Sequence, residues 1–258
     1  MTAAEKVKRS FGKSARDYAR YADLQRDVSD YLTRKFAPNP GAGKILDIGC
    51  GAGFTALSAQ SAWPGSSVTG MDLAHPMAVE AKRNGVRDVA TADAVSLPFK
   101  RGVFDAAISS LAFQWVGESE VGLYRGILDV LSDGGWLCCS LMTEGTLAEL
   151  RRAYDEALIY CTGKSAVFPK FPSERETVGR LGEAGFTSIR SELRTVERQY
   201  ENVGELFRVL RGIGASAPMR PANPPRRDVL QKTVDIYPAS GGMICATYEV
   251  CYFYGEKK

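Results

Sequence analysis

Histidine is almost missing from this 258-residue chain, with His75 the single example. A histidine-rich metal centre and a two-histidine proton relay are therefore excluded, and His75 itself reads as a loop or helix-start residue. The six cysteines, Cys50, Cys138, Cys139, Cys161, Cys245 and Cys251, form no C-x-x-C pair and no zinc-type set with a neighbouring histidine. Four of them fall in apolar, strand-like runs where cysteine acts as a small hydrophobe, so all six are expected to be reduced and structural. No apolar run approaches the length of a membrane span. The opening residues MTAAEKVKRS are charged rather than those of a secretion signal. A cytoplasmic protein with no membrane partner is expected. The net charge of +3 is too mild for a general nucleic-acid binder. With neither an internal repeat nor a linker to divide it, the chain is read as one α/β domain, residues 1–258.

What is present is organised around KILDIGCGAGF, Lys44 to Phe54. Ile45, Leu46 and Ile48 flank Asp47, and glycines follow at 49, 51 and 53. This pattern predicts a buried strand running into a tight turn. Glycine there lets a ligand approach the main chain without meeting a Cβ. A dinucleotide fingerprint would need a third glycine where Phe54 stands. Asp47, ahead of the glycines, is electrostatically wrong for a diphosphate and right for a cation. A nicotinamide-dependent oxidoreductase is disfavoured on both counts.

Before this stretch, residues 1–40 read as helical, with Phe11, Tyr18, Tyr21, Leu24, Val28 and Leu32 at three- and four-residue intervals. That stripe either docks on a sheet or, with its tyrosines and Gln25, also serves a site. After it, a helix over 54–62 and a strand over 67–71 lead to Asp72, nineteen residues past Gly53. An acid at the end of a second strand can accept both hydroxyls of a ribose, and the same residue could instead cap the helix predicted over 74–84. Further strands are predicted over 88–91, 104–110 and 136–142, and helices over 121–131, 147–161 and 174–184. Two late strands, 187–194 and 244–254, are expected to pair antiparallel at one sheet edge. Strand and helix alternating at this pace predict a parallel sheet covered on both faces, with ligands at the carboxyl ends of its strands.

The D-x-G-x-G-x-G pattern resembles motif I of the class I S-adenosylmethionine-dependent methyltransferases. Outer segments narrow this: SFGKSARDYARYADLQ, SSLAFQW, LMTEGTLAEL, LRGIGA and TYEVCYFYG together resemble the malonyl-[acyl-carrier protein] O-methyltransferases of biotin synthesis. One departure is Gly214-Ala215-Ser216-Ala217, where that family usually has Gly-Ala-Thr-His. The resemblance implies a Rossmann-like class I fold: a mostly parallel seven-stranded sheet, an antiparallel edge strand and helical cover insertions. Residues 1–40 would form an N-terminal cap, 41–142 the cofactor-binding core, and 143–173 and 200–240 the cover. It implies S-adenosylmethionine as cofactor. Asp47, Gly49, Cys50 and Gly51 would hold its methionyl end, Asp72 and Leu73 the ribose and adenine edge, Asp93 and Ala94 the base, and Ser110 and Leu111 would line the path of the amino-acid end. Tyr18, Gln114 and Trp115 are the candidates for the methyl-transfer chamber, and Arg211 for the malonyl carboxylate, unless it is a solvated surface arginine.

The implied partner is an acidic malonyl-acyl carrier protein, or malonyl-CoA, met by a monomer with no metal. Arg220, Arg226, Arg227 and Lys232 form a basic stretch that either docks the carrier or is simply a solvated face. Two other functions stay open at this point. One is a methyltransferase of the same fold acting on a small phenol, amine or quinone precursor. The other is a regulatory module that binds S-adenosylmethionine without transferring its methyl group.

Overall fold

A computed structural model describes residues 2–41, 43–116, 120–168, 170–215 and 226–258. Helices α1 (Ala3–Tyr21) and α2 (Asp23–Tyr31), extended by a wider π-helical turn over Leu32–Phe36, form the N-terminal arm. Strand β1 (Lys44–Ile48) and helix α3 (Phe54–Ala62) bracket the glycine turn. There follow β2 (Ser67–Asp72), α4 (His75–Arg83), β3 (Asp88–Thr91), β4 (Phe104–Ser110), α5 (Glu120–Val130) and β5 (Leu131–Met142). The last part holds α6 (Ala148–Thr162), α7 (Glu174–Ala184), β6 (Thr187–Tyr200), α8 (Val203–Gly212), α9 (Arg227–Ile236), β7 (Ala239–Ser240) and β8 (Met243–Glu256).

The sheet runs β3-β2-β1-β4-β5-β8-β6, seven strands with the two-residue β7 paired beside β8. Strands β1 to β5 are mutually parallel. β8 runs antiparallel to both β5 and β6, so the reversed strand sits one place in from the edge that β6 forms. The order reverses at β1, which has β2 on one side and β4 on the other, and that switch point opens a crevice above the strand ends.

Alternation along the strands explains why both faces are covered. Ile45, Ala106, Ile108, Cys138 and Tyr252 point into one core with α2, α3 and α8, while Leu46, Ala107, Cys139 and Phe253 point into the other with α5 and α7. Adjacent Cys138 and Cys139 thus lie on opposite faces, and all six cysteines are free thiols. Helix boundaries have local causes. Thr2 with Glu5 and Ser173 with Glu176 make capping boxes on α1 and α7, a proline opens α4, and left-handed Gly163 and Gly185 close α6 and α7.

The arm is fixed to the core by buried hydroxyls. Ser29 Oγ meets Thr55 Oγ1 at 2.9 Å, Thr33 Oγ1 meets Ser58 Oγ at 2.8 Å, and Ser58 Oγ donates to Asp30. These pairs lock α2 and its π-helical extension onto α3, the helix that begins at the glycine turn. Substituting Thr55→Val should strand the Ser29 hydroxyl in the core and lower unfolding stability by about 1–2 kcal/mol, measured by urea titration. An unchanged midpoint would mean that the pair carries no net stability.

Candidate active site

The glycine turn is suspended from the end of β2. Gly49 and Cys50 both donate their N–H groups to Met71 O, at 2.8 and 2.9 Å, and Gly51 N–H donates to Asp72 Oδ2 at 2.9 Å. Asp72 Oδ1 accepts from Ala74 N–H at 2.8 Å. One carboxylate therefore joins the turn to Ala74, the residue before α4, and still lines the cavity above; α4 itself carries no side-chain cap. Gly49 adopts φ +71°, and a Cβ there would come within 2.4 Å of Ala112 Cβ. Gly51, at φ +53°, would have its Cβ in open space.

Above the turn lies a cavity of about 210 Å³, walled by Gly49, Gly51, Asp72, Leu73, Asp93, Ala94, Ser110 and Leu111 and roofed by α1 through Phe11 and Tyr18. Asp93 Oδ1 accepts from Val95 N–H at 3.1 Å, which holds the acid at the rim. Ser110 Oγ accepts from Ser140 Oγ at 3.2 Å. Eight of the ten residues expected around the cofactor thus share one cavity.

Two do not reach its surface. Cys50 is buried against Gly70, whose missing Cβ leaves room for the sulfur, so its side chain supports the turn from beneath. Asp47 is fully buried, and neither of its carboxylate oxygens has a hydrogen-bond partner among the described residues. Burial pushes its pKa up to about 8; the Ala56 N–H, which forms no hydrogen bond to it, acts against that shift through its dipole, and nearby Asp72 adds to it. A cation placed above the turn would favour the ionised form of Asp47.

A second cavity, of about 450 Å³, adjoins the first. Phe11, Tyr18, Leu111 and Trp115 line both. Its other walls include Gln25, Gln114, Thr146, Tyr200 and Tyr248, with Arg20, Arg198 and Arg208 as cations and Asp23 and Glu205 as acids. The Oε1 atoms of Gln25 and Gln114 are buried without a partner among the described residues, while Gln114 Nε2 donates to Leu111 O at 2.9 Å. Tyr200 and Tyr248 share a 2.8 Å hydroxyl contact. Leu111 itself holds φ +53°, a left-handed conformation unusual for leucine, at the place where the two cavities meet.

Tyr18, Gln114 and Trp115 are brought together as expected, and Arg211 is not. It lies exposed in the last turn of α8 and lines neither cavity, and its main-chain oxygen accepts from Ser14 Oγ at 3.2 Å. Of the basic stretch, Arg220 lies outside the described residues, as do Ser216 and Ala217. Arg226 is held by Asp228 through contacts of 3.0 and 2.6 Å, Lys232 lies over the Tyr160 ring, and no α9 residue lines either cavity. Sequence reasoning missed Tyr200, Tyr248, Arg20 and Arg208, which come from four separate elements and share no local motif.

The residues present fit a cationic nucleoside ligand: a bare glycine floor, an unpartnered buried carboxylate beneath it, and acids at the ends of β2 and β3. Fold and site define a class I, S-adenosylmethionine-dependent methyltransferase. A methyltransferase-domain family model matches residues 46–139. Among solved structures, the Bacillus subtilis protein YcgJ superposes with a TM-score of 0.61 at 19% identity, over 89% of this chain and 98% of that one. A Haemonchus contortus phosphoethanolamine N-methyltransferase in complex with S-adenosyl-L-methionine gives 0.63 at 17% identity, over 100% of this chain and 60% of that one. A malonyl-[acyl-carrier protein] O-methyltransferase from Geobacter sulfurreducens is 32% identical across 98% of both chains. This chain belongs to the malonyl-[acyl-carrier protein] O-methyltransferase family.

Two outcomes test the cofactor site. Gly51→Ala should weaken binding of S-adenosylhomocysteine in calorimetry while sparing stability more than Gly49→Ala, whose new methyl must displace Ala112 at a cost of about 1–3 kcal/mol. Equal affinity in Gly51→Ala and wild type would remove Gly51 from the floor. For Asp47, the folded carboxyl stays protonated up to about pH 8 whereas the unfolded one ionises near 3.8. Raising pH through this window therefore destabilises the wild type, by at most ~1.4 kcal/mol per unit. Asp47→Asn should be the more thermostable protein at pH 7, with a gain that vanishes near pH 4. A gain independent of pH would show that this carboxyl titrates normally.

Proposed function

We propose that this chain transfers a methyl group from S-adenosylmethionine to the free carboxylate of a malonyl thioester, carried by acyl carrier protein or by coenzyme A. The product is the methyl ester that starts the pimeloyl part of biotin. The chain works as a monomer in the cytoplasm. The observation that carries this reading is the meeting of a small acid-rimmed cavity with a larger polar one at Phe11, Tyr18, Leu111 and Trp115.

When bound, S-adenosylmethionine supplies the methyl group on a positively charged sulfur. The malonyl carboxylate is already ionised at neutral pH, so no general base is needed, which suits a chain whose single histidine, His75, is exposed and lines neither cavity. Positioning and the exclusion of water are what remain for the protein to provide. Phe11 and Trp115, in edge-on contact with ring centroids 5.9 Å apart, close one side of the junction. Aromatic faces also suit a sulfonium cation.

None of the four side chains common to both cavities is charged. A carboxylate held there would meet neutral donors. The Tyr18 hydroxyl remains protonated because burial and nearby Asp72 raise its pKa well beyond the ordinary tyrosine value. The Gln114 amide keeps a second N–H after the bond to Leu111 O. Neutral donors suit this reaction better than the guanidinium expected from sequence. Negative charge leaves the carboxylate as the methyl arrives, so a salt bridge would stabilise the ground state more than the transition state. Arg20 and Arg208, on the wall of the larger cavity, are available to the rest of the thioester.

Incubation with S-adenosylmethionine and malonyl-carrier, read by product mass, should show the gain of one methyl group. Gln114→Leu should lower kcat by roughly 10- to 100-fold with little effect on S-adenosylhomocysteine affinity. Methylation of a phenol or amine in place of the malonyl thioester would overturn the acceptor, and an unaltered kcat would remove Gln114 from the junction.

A further inference from the structure

Helix α1 carries a row of cations that the fold itself does not use. Lys6, Arg9, Lys13, Arg16 and Arg20 recur at three- and four-residue spacing, so they share one helical face, and all five are exposed. None makes an ion pair among the described residues. The helix holds two acids. Glu5 accepts the Thr2 N–H in the capping box, and exposed Asp17 forms no described ion pair. Like charges at these spacings weaken a helix by a few tenths of a kcal/mol per pair, so the row opposes helix stability.

The row leads to the acceptor cavity. α8 packs against the neighbouring face of α1, with Ser10 Oγ and Ser14 Oγ donating to Gly214 O and Arg211 O at 2.7 and 3.2 Å. Exposed Arg208 and Arg211 stand on α8, and neither has an ion-pair partner among the described residues. Arg20 at the end of the row and Arg208 on α8 both line the larger cavity. From Lys6 to Arg20 the row extends about 21 Å along the helix, the length of one four-turn helix on a partner. By contrast, α9 cations reach neither cavity, and Arg226 is already neutralised by Asp228.

We infer that the α1 row, with Arg208 and Arg211 of α8, is the surface on which an acidic carrier protein lands to deliver its thioester arm into the larger cavity. The inference rests on the malonyl-thioester reading above for what the arm carries. It moves the docking face from the basic stretch near residues 220–232 to the N-terminal helix. A membrane or duplex DNA would also be attracted to a row of cations, but neither gives a reason for the row to run into a cavity wall. Complementary charge mainly raises the rate of encounter and fixes its register, so the effect belongs in KM and in salt dependence.

The test compares two acceptors, malonyl-carrier and malonyl-pantetheine, the latter having the thioester arm without the protein. In the triple variant Arg9→Glu, Lys13→Glu, Arg16→Glu, KM for malonyl-carrier should rise about tenfold or more, with kcat little changed. KM for malonyl-pantetheine should stay at the wild-type value. Added salt should raise the carrier KM of wild type and leave that of the variant nearly flat. Arg226→Glu, Arg227→Glu, Lys232→Glu should behave as wild type. Three results would overturn the assignment: an unchanged carrier KM, an equal loss on both acceptors, or duplex DNA binding wild type more tightly than the carrier does at the same salt. Association of holo-carrier, read by calorimetry, separates the two claims. If wild type methylates neither thioester yet binds carrier through the row, the acceptor reading fails and the docking surface stands; absence of carrier binding sinks the surface alone.

Discussion

The site depends on three backbone N–H groups, those of Gly49, Cys50 and Gly51, being held by the last two residues of β2. Two of them converge on Met71 O and the third on the Asp72 carboxylate, so the glycine turn cannot move without the strand beside it. Because β1 and β2 are parallel and in register from Lys44–Ser67 to Ile48–Met71, the turn and Asp72 emerge at the same height. The cofactor cavity is the space left when that turn is pulled toward β2 and away from β4, at the switch point of the sheet.

The N-terminal arm completes what the sheet begins. Phe11 and Tyr18 of α1 line both cavities, and Tyr18 stacks on Phe54 at a centroid distance of 6.0 Å, which ties the roof to the first residue of α3. α1 reaches the late part of the chain through Ser10 and Ser14, while α2 reaches α3 through buried hydroxyl pairs. One segment therefore touches the roof of the cofactor cavity, the wall of the larger cavity and the outer surface.

Strands β1 to β4 were legible almost to the residue, since each is a short run between turn residues, largely buried in β1, β2 and β4 and half-exposed in β3. β6 was read six residues short, because RTVERQY alternates as a half-exposed edge strand whose polar face hides the pattern; its partners lie on β8 and are distant in sequence. α9 was not separated from the basic loop before it, since Val229 and Thr233 alone supply its buried face. Cofactor residues were legible because they belong to one recurrent motif and its strand ends. The acceptor cavity was legible only through Tyr18, Gln25, Gln114 and Trp115, because its walls come from α1 with α2, the turn after β4, β6 with α8, and β8, which lie far apart in the sequence. That Arg211 lines neither cavity was hidden for a related reason: its motif position identifies the helix but not which way the side chain points.

The position of Arg211, on the wall of neither cavity, bears on the chemistry proposed for the junction. A guanidinium at the reacting carboxylate would bind substrate well and then have to lose that attraction as negative charge vanished. On the proposed docking, cations on the outer wall and α1 surface would act on a part of the substrate whose charge does not change during transfer. Binding and chemistry would then be separated in space: long-range charge would gather the carrier, and uncharged side chains would align its terminal carboxylate. Leu111 lies on the boundary between these regions, with its backbone oxygen engaged by Gln114, its N–H donated to Ser140 O at 2.9 Å, and its φ angle in the left-handed region. Two hydrogen bonds thus hold one residue in a conformation it would not choose alone, and that restraint sets where the Gln114 amide stands on the wall of the larger cavity.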